Sequence, residues 1–148
     1  MATPLSPHFT LEELCHSDTA VAKGIDNLAT DPTVIANLTA LAVNVLEPIR
    51  GKFGPFAPTS GYRGPALNKA VGGVATSQHS LGQAADIVIP GVDLDELGNW
   101  IIGNVDFDQV INERTGSAWI HVSYKNPAAN RRSILRYDGK TYTTVKSF

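Results

Sequence analysis

With a single cysteine, Cys15, the chain cannot rest on a disulfide framework. Neither sign of charge dominates: 12 basic and 14 acidic residues leave a formal net charge of -2, which exerts no bulk pull toward nucleic acid or anionic lipid. No uninterrupted apolar run approaches the ~18 residues of a membrane span. The start, Met1-Ala-Thr-Pro-Leu-Ser6, lacks the basic region and apolar core of a secretory signal, so synthesis in a cytoplasm is expected. Also missing are the Gly-x-Ser-x-Gly elbow of a serine hydrolase and the glycine spacing of phosphate or dinucleotide loops. The Arg131-Arg132 pair and the two tryptophans form no basic stripe with stacking aromatics. What remains is an ordinary globular composition, 43% apolar and 18% charged over 148 residues, without repeats, low-complexity tracts or long linkers. A chain of this length buries roughly 68–70% of its unfolded surface, and one domain over residues 1–148 is expected.

Local signals order the chain. Thr10 and Glu13 form a capping box for a short helix, with Phe9 and Leu14 as its hydrophobic staple. A polar turn with Gly24 and Asn27 follows. Asp31-Pro32 supplies a cap and an N1 proline for the main core helix, whose apolar stripe runs Val34, Ile35, Leu38, Leu41, Ala42, Val45, Leu46, Ile49. Pro48 should kink or end this helix before Gly51 and Gly54. Residues 56–62 read as extended, 65–70 as a short helix and 84–90 as a buried strand closed by proline. Asp93 and Glu96 make a second capping box, for a helix through Trp100 to Ile102. Four β-branched and aromatic segments, 109–113, 118–124, 133–137 and 141–145, then predict strands, with Asp138-Gly139 as a hairpin turn. Helices first and strands later predict an α+β fold.

The chemistry concentrates in Ser77-Gln-His-Ser-Leu-Gly-Gln-Ala-Ala-Asp86. His79 and Asp86 are too far apart for one helical turn, but a loop doubling back at Gly82 can bring imidazole and carboxylate to one point. Both are good Zn²⁺ ligands, and a catalytic zinc takes three protein ligands. His121 is the best third candidate, because strand alternation puts Trp119, His121 and Ser123 on one face and Ile120 and Val122 on the other. His8 and His16 have no ligand partner in sequence and read as structural. Cys15, in a capped helix beside His16, reads as a small packed residue rather than a nucleophile.

The string Ser77-x-His79-x-x-Gly82-x-Ala84-x-Asp86, followed by Trp119-x-His121, resembles the zinc D-Ala-D-Ala carboxypeptidase-like family of peptidoglycan metallopeptidases, which share a fold with the hedgehog signalling domain. Ser60-Gly-Tyr-Arg63, Leu67-Asn68 and Val71-Gly-Gly-Val74 also resemble its phage and bacterial branch, so the likeness runs from about Phe9 to Tyr124. The resemblance implies zinc held by His79, Asp86 and His121, N-terminal helices on an antiparallel sheet, and a DD- or LD-peptidase cutting peptidoglycan stem or cross-link peptides. It also implies that Arg63 faces the cleft, where a planar guanidinium can bind a substrate carboxylate or the developing oxyanion. Ser77, Gln78 and Trp119 are further substrate-side candidates. Ser77 and Gln78 can orient the peptide or a ligand, or satisfy their own loop backbone.

One departure stands out. Many members carry their general acid/base three residues before the last histidine, where this chain has Ala118. Glu113 is the nearest replacement: a long loop over Arg114 to Ala118 sets it opposite Trp119 and on the face of His121, whereas a two-residue loop at Thr115-Gly116 turns it away. Asp106 and Asp108 are the other candidates. The missing acid also supports an alternative, a zinc-containing but non-catalytic wall-binding or virion structural module. The expectation overall is a monomeric phage or prophage endolysin with a peptidoglycan peptide substrate. It would be made in the host cytoplasm and act on the wall after release or from a virion, with no nucleic acid partner and no membrane insertion.

Overall fold

The fold is organised by one five-stranded sheet in the order β1-β3-β2-β4-β5, in a computed structural model that describes residues 2–73 and 77–148. Its strands are β1 (Ala84–Ile87), β2 (Gln109–Arg114), β3 (Ala118–Ser123), β4 (Ser133–Tyr137) and β5 (Tyr142–Thr144). Helices precede and flank the sheet, so the class is α+β as expected. The sheet is not wholly antiparallel: β2 and β4 pair in parallel. The reason lies in the hairpin before them. Strand β3 ends at Ser123 opposite Gln109, the first residue of β2, so the chain re-enters beside the start of β2, with Ser133 N–H donating to Asp108 O at 2.9 Å.

Capping signals were followed closely. Helix α1 (Leu11–Cys15) begins where Thr10 accepts from Glu13 N–H, and Phe9 and Leu14 are both buried. Helix α2 (Asp18–Lys23) lies where only a polar turn was expected; Ser17 caps it and Gly24 ends it in the left-handed region. Helices α5 (Pro65–Ala70) and α6 (Leu94–Asn104) occupy their expected places, the latter capped by Asp93. Val74 of the segment Val71–Val74 lies outside the described residues.

The main helix does not break at Pro48. Helix α3 (Pro32–Leu41), a π-helical turn (Ala42–Leu46) and α4 (Glu47–Phe53) form one rod of 22 residues. Proline lacks the donor and clashes with the carbonyl four residues back. Widening the preceding turn, so that Glu47 N–H reaches Ala42 O, accommodates it. By length and composition the rod is long enough to cross a bilayer. Its stripe of Leu38, Leu41, Ala42, Val45, Leu46 and Ile49 is at 0% exposure and packs with Ile87, Leu97, Ile101, Phe107, Ile120 and Val122.

The strand expected over 84–90 ends at Ile87, and the stretch 56–62 contributes only a bridge between Ser60 and Asp86. That bridge matters for the cleft: Asp86 N–H donates to Ser60 O at 2.8 Å and covers the open edge of β1.

Gly82 turns the chain into β1 at φ +74°, and a Cβ there would lie 2.7 Å from Val34 O and 3.0 Å from Leu38 Cγ. Gly72 has the same backbone sign, φ +73°, with open space around it. Gly72→Ala should therefore cost only the left-handed strain of about 1–2 kcal/mol, and Gly82→Ala distinctly more. Urea unfolding of the two variants reads the difference; equal losses would mean that the approach of Gly82 to α3 carries no constraint.

Candidate active site

His79 is placed by three local devices. It lies in a 3-10 turn (Gln78–Leu81) whose start is capped by Ser77 Oγ, accepting from His79 N–H at 3.2 Å, and whose end is the left-handed Gly82. Its ring is 4% exposed and its Nδ1 lies 2.7 Å from the Gly61 carbonyl. A carbonyl can only accept, so Nδ1 carries the proton and Nε2 presents a lone pair. Gly61 is itself held against α1: Tyr62 N–H donates to Leu14 O at 2.7 Å, and a Cβ on Gly61 would collide with that same carbonyl.

Asp86 and His121 come together through sheet register, as direct partners across β1 and β3. Asp86 Oδ1 lies 3.3 Å from His79 Nε2 and 3.1 Å from His121 Nδ1. The three donor atoms lie within 4.8 Å of one another. Donors about 2.0–2.1 Å from one tetrahedral centre are separated by roughly 3.3–3.4 Å, close to the two spacings to Asp86. The lone pair on His79 Nε2 also faces a carboxylate oxygen, an arrangement that calls for positive charge between them. On both grounds the residues fit a zinc ion. Burial works against the charge of Asp86, but the hydrogen bond from His121 leads the interactions that outweigh it and hold the carboxyl far below the usual carboxylate range.

The register of β2 on β3 sets Glu113 opposite Trp119 and Ile111 opposite His121. This is the arrangement expected from the longer loop, although the connection itself is only Thr115–Ser117, because Arg114 still pairs with Ala118. Ala118 alternates onto the face away from His121. The Trp119 indole N–H donates to Glu113 Oε2 at 2.8 Å, so its polar atom serves the glutamate while the ring lines the cleft. Burial, reinforced by the charge of Asp86, pushes the Glu113 carboxyl above its ordinary value, with His121 and the indole opposing.

A cleft of about 620 Å³ runs over this face and takes in Arg63, Ser77, Gln78, His79, Asp86, Glu113, Trp119 and His121. Every sequence-predicted site residue is thus on one surface. The Nε of Arg63 is buried without a hydrogen-bond partner among the described residues, a donor left for something in the cleft. Ser77 spends its hydroxyl on the turn, whereas Gln78 donates its amide to Asp108 Oδ2 at 3.1 Å.

The alternative acids lie elsewhere. Asp106 is exposed, 4.0 Å from Arg132. Asp108 is wholly buried and takes a two-pronged hydrogen bond from Arg131, at 3.0 and 2.8 Å. Burial raises its carboxyl, but the Arg131 side chain and backbone and Gln78 outweigh this and bring it down to about 2. His8 and His16 stay outside the cleft, paired with Glu47 and Asp18. Cys15 is buried, and burial raises its thiol.

Sequence reasoning missed Gln109, Lys125, Arg131 and Tyr142, which also line the cleft. Gln109 was legible by alternation with Ile111 and Glu113. Arg131 was not, because its partner Asp108 lies 23 positions away.

Two imidazoles and a carboxylate converging on one point, beside a half-buried glutamate in an open cleft, suit a metal-dependent hydrolase. The chain belongs to the Peptidase M15 family, which it matches over residues 7–123. These are zinc-dependent metallopeptidases of the D-Ala-D-Ala carboxypeptidase-like kind. No curated protein matches the chain.

Zinc added to metal-free protein should raise its thermal midpoint, with a gain of about 2.7 kcal/mol when free metal is a hundredfold above the dissociation constant. His121→Ala should remove that response and leave a folded chain. A midpoint that responds equally in the variant would place the metal elsewhere.

Proposed function

We propose that this metallopeptidase hydrolyses an amide bond in peptidoglycan stem or cross-link peptides, with His79, Asp86 and His121 as zinc ligands and Glu113 as the general base. The observation that carries the reading is the Glu113–Trp119 pair, which compensates for Ala118 by supplying a carboxylate from the neighbouring strand on the face of His121. The likeness of 60–63, 67–68 and 71–74 to the phage and bacterial branch supports an endolysin as its biological setting.

A bound zinc ion supplies Lewis-acid polarisation of the scissile carbonyl and lowers the pKa of water. The protein's own groups do the rest. Glu113 accepts a proton from the attacking water and returns it to the nitrogen of the broken amide, leaving one new carboxyl and one new amine. Its raised affinity for protons suits both halves of that transfer. The Trp119 N–H fixes which oxygen faces the substrate. Arg63 Nε and its guanidinium stabilise the negative charge that builds on the carbonyl oxygen or hold a substrate carboxylate. His79, locked by Gly61, keeps one tautomer throughout.

Glu113→Gln retains the acceptor for Trp119 and removes the base, so turnover on zinc-loaded protein should fall 10²- to 10⁴-fold with metal content unchanged. In the metal-free parent, an NMR titration should find the Glu113 carboxyl protonating at a pH above the ordinary glutamate value of about 4.3. The same raised proton affinity means that Glu113 favours the fold below its unfolded pKa and loses that contribution as pH rises through the folded one. Metal-free Glu113→Gln should therefore be at least as stable as the parent at neutral pH. Mass spectrometry of fragments from a defined cell wall names the bond. A zinc-loaded parent inert on every wall type would leave the wall-binding or virion module as the better reading.

A further inference from the structure

The cleft keeps both of its lining carboxylates at one end, together with Arg63 beside His79. Its two lining carboxylates, Asp86 and Glu113, lie at the level of the β1–β3 pair and of the Arg114 end of β2. At the opposite end, beyond Gln109 and Ser123, the lining residues are Lys125, Arg131 and the amides of Gln78 and Gln83. Lys125 is half-buried and makes no ion pair among the described residues. Arg131 has its fork taken by Asp108, yet its side chain is 52% exposed and its Nη1 makes no hydrogen bond among the described residues. Asp108 is at 0% exposure, closed over by Gln78 and Ser123, so the outward face of the pair is the guanidinium. The intervening loop is tied shut: Lys125 N–H donates to Asn130 Oδ1 at 2.8 Å, and Arg131 N–H to Asp108 Oδ1 at 3.0 Å. Two cations thus line the same end of the cleft, Arg131 fixed by Asp108 and Lys125 carried on a backbone tied to Asn130.

We propose that Lys125 and Arg131 form a carboxylate-binding subsite for an acidic residue on the acyl side of the scissile bond. The inference rests on the reading that a peptide is cut in this cleft, and the proton path fixes its direction. Glu113 must reach the leaving nitrogen, so the leaving half lies toward Glu113 and the acyl half runs along β2 and β3 toward Lys125. The four positions from His121 to Lys125 span about 13 Å at ~3.3 Å each. That span is the reach of about four extended residues, so the anion lies within about four residues of the bond that breaks. A guanidinium and an ammonium that both lack a second partner among the described residues suit a carboxylate, and one end of a peptide so held aligns the other.

The test uses zinc-loaded Glu113→Gln protein, which binds without turnover, and stem peptides from a defined cell wall, either native or with their carboxyl groups converted to amides. Native peptide should bind about tenfold more tightly than the amidated form, as expected for charge-assisted hydrogen bonds at a partly exposed site. Adding Lys125→Met, which keeps the apolar stem, should remove most of that ratio without moving the thermal midpoint, and Arg131→Lys should reduce it while preserving a cation on Asp108. A ratio near one in the Glu113→Gln protein, or a ratio untouched by Lys125→Met, overturns the subsite. Discrimination that persists while the unmutated protein cuts no wall peptide leaves the subsite standing and removes the hydrolase reading. Cleavage without discrimination does the reverse.

Discussion

The hydrogen bond between His79 and the Gly61 carbonyl is the constraint on which the site depends. It commits the imidazole to one tautomer, buries the protonated nitrogen and aims the other at Asp86. Everything that fixes Gly61 therefore fixes the electronic state of His79: the Tyr62–Leu14 hydrogen bond, the absence of a side chain where α1 passes, and Arg63 N–H returning to His79 O at 3.0 Å. A short helix near the N-terminus thus controls a ring more than sixty positions later. The sheet supplies the other two donors by register alone, Asp86 facing His121 across one ladder.

A second buried anchor holds the far end. Asp108 has no exposure and keeps its charge because it is saturated with donors from Arg131, Gln78 and Ser123. Leaving such a carboxylate without its partner is far costlier than the pair is worth. Gln78 is the neighbour of His79, and Ser123 ends the strand of His121, so this buried charge braces both histidine-bearing segments from behind. The parallel pairing of β2 and β4 follows from the same anchor, since the chain returns past Asp108 before starting β4.

The elements legible in the sequence were those governed by neighbours in the chain. Thr10, Asp31 and Asp93 cap helices where their side chains can reach the next turn, and alternation put Trp119 and His121 on one face. Helix α2 escaped notice because Ser17 and Gly24 bracket only six residues, too few for periodicity to show. Pro48 misled because its penalty assumes a regular α-helical ladder, and the π turn relieves it. Glu113 needed register, which two loop lengths left open until the Glu113–Trp119 pairing was seen. Lys125 and Arg131 were invisible for a different reason. Arg131 takes its place from Asp108 in another segment, and no local pattern announces a contact 23 positions away, while Lys125 is brought to the cleft only by the fold around the loop it begins.

The connection between β3 and β4 is pinned at both ends, by Asn130 on Lys125 and by Asp108 on Arg131, while Asn126, Pro127, Ala128 and Ala129 between the pins are exposed. It also lies past the stretch shared with the family. Such a staple separates two tasks that most clefts entangle. Its crest can be lengthened, shortened or exchanged by grafting while His79, Asp86 and His121 keep their positions, so retargeting toward a different peptide becomes a problem of four surface residues rather than of the scaffold.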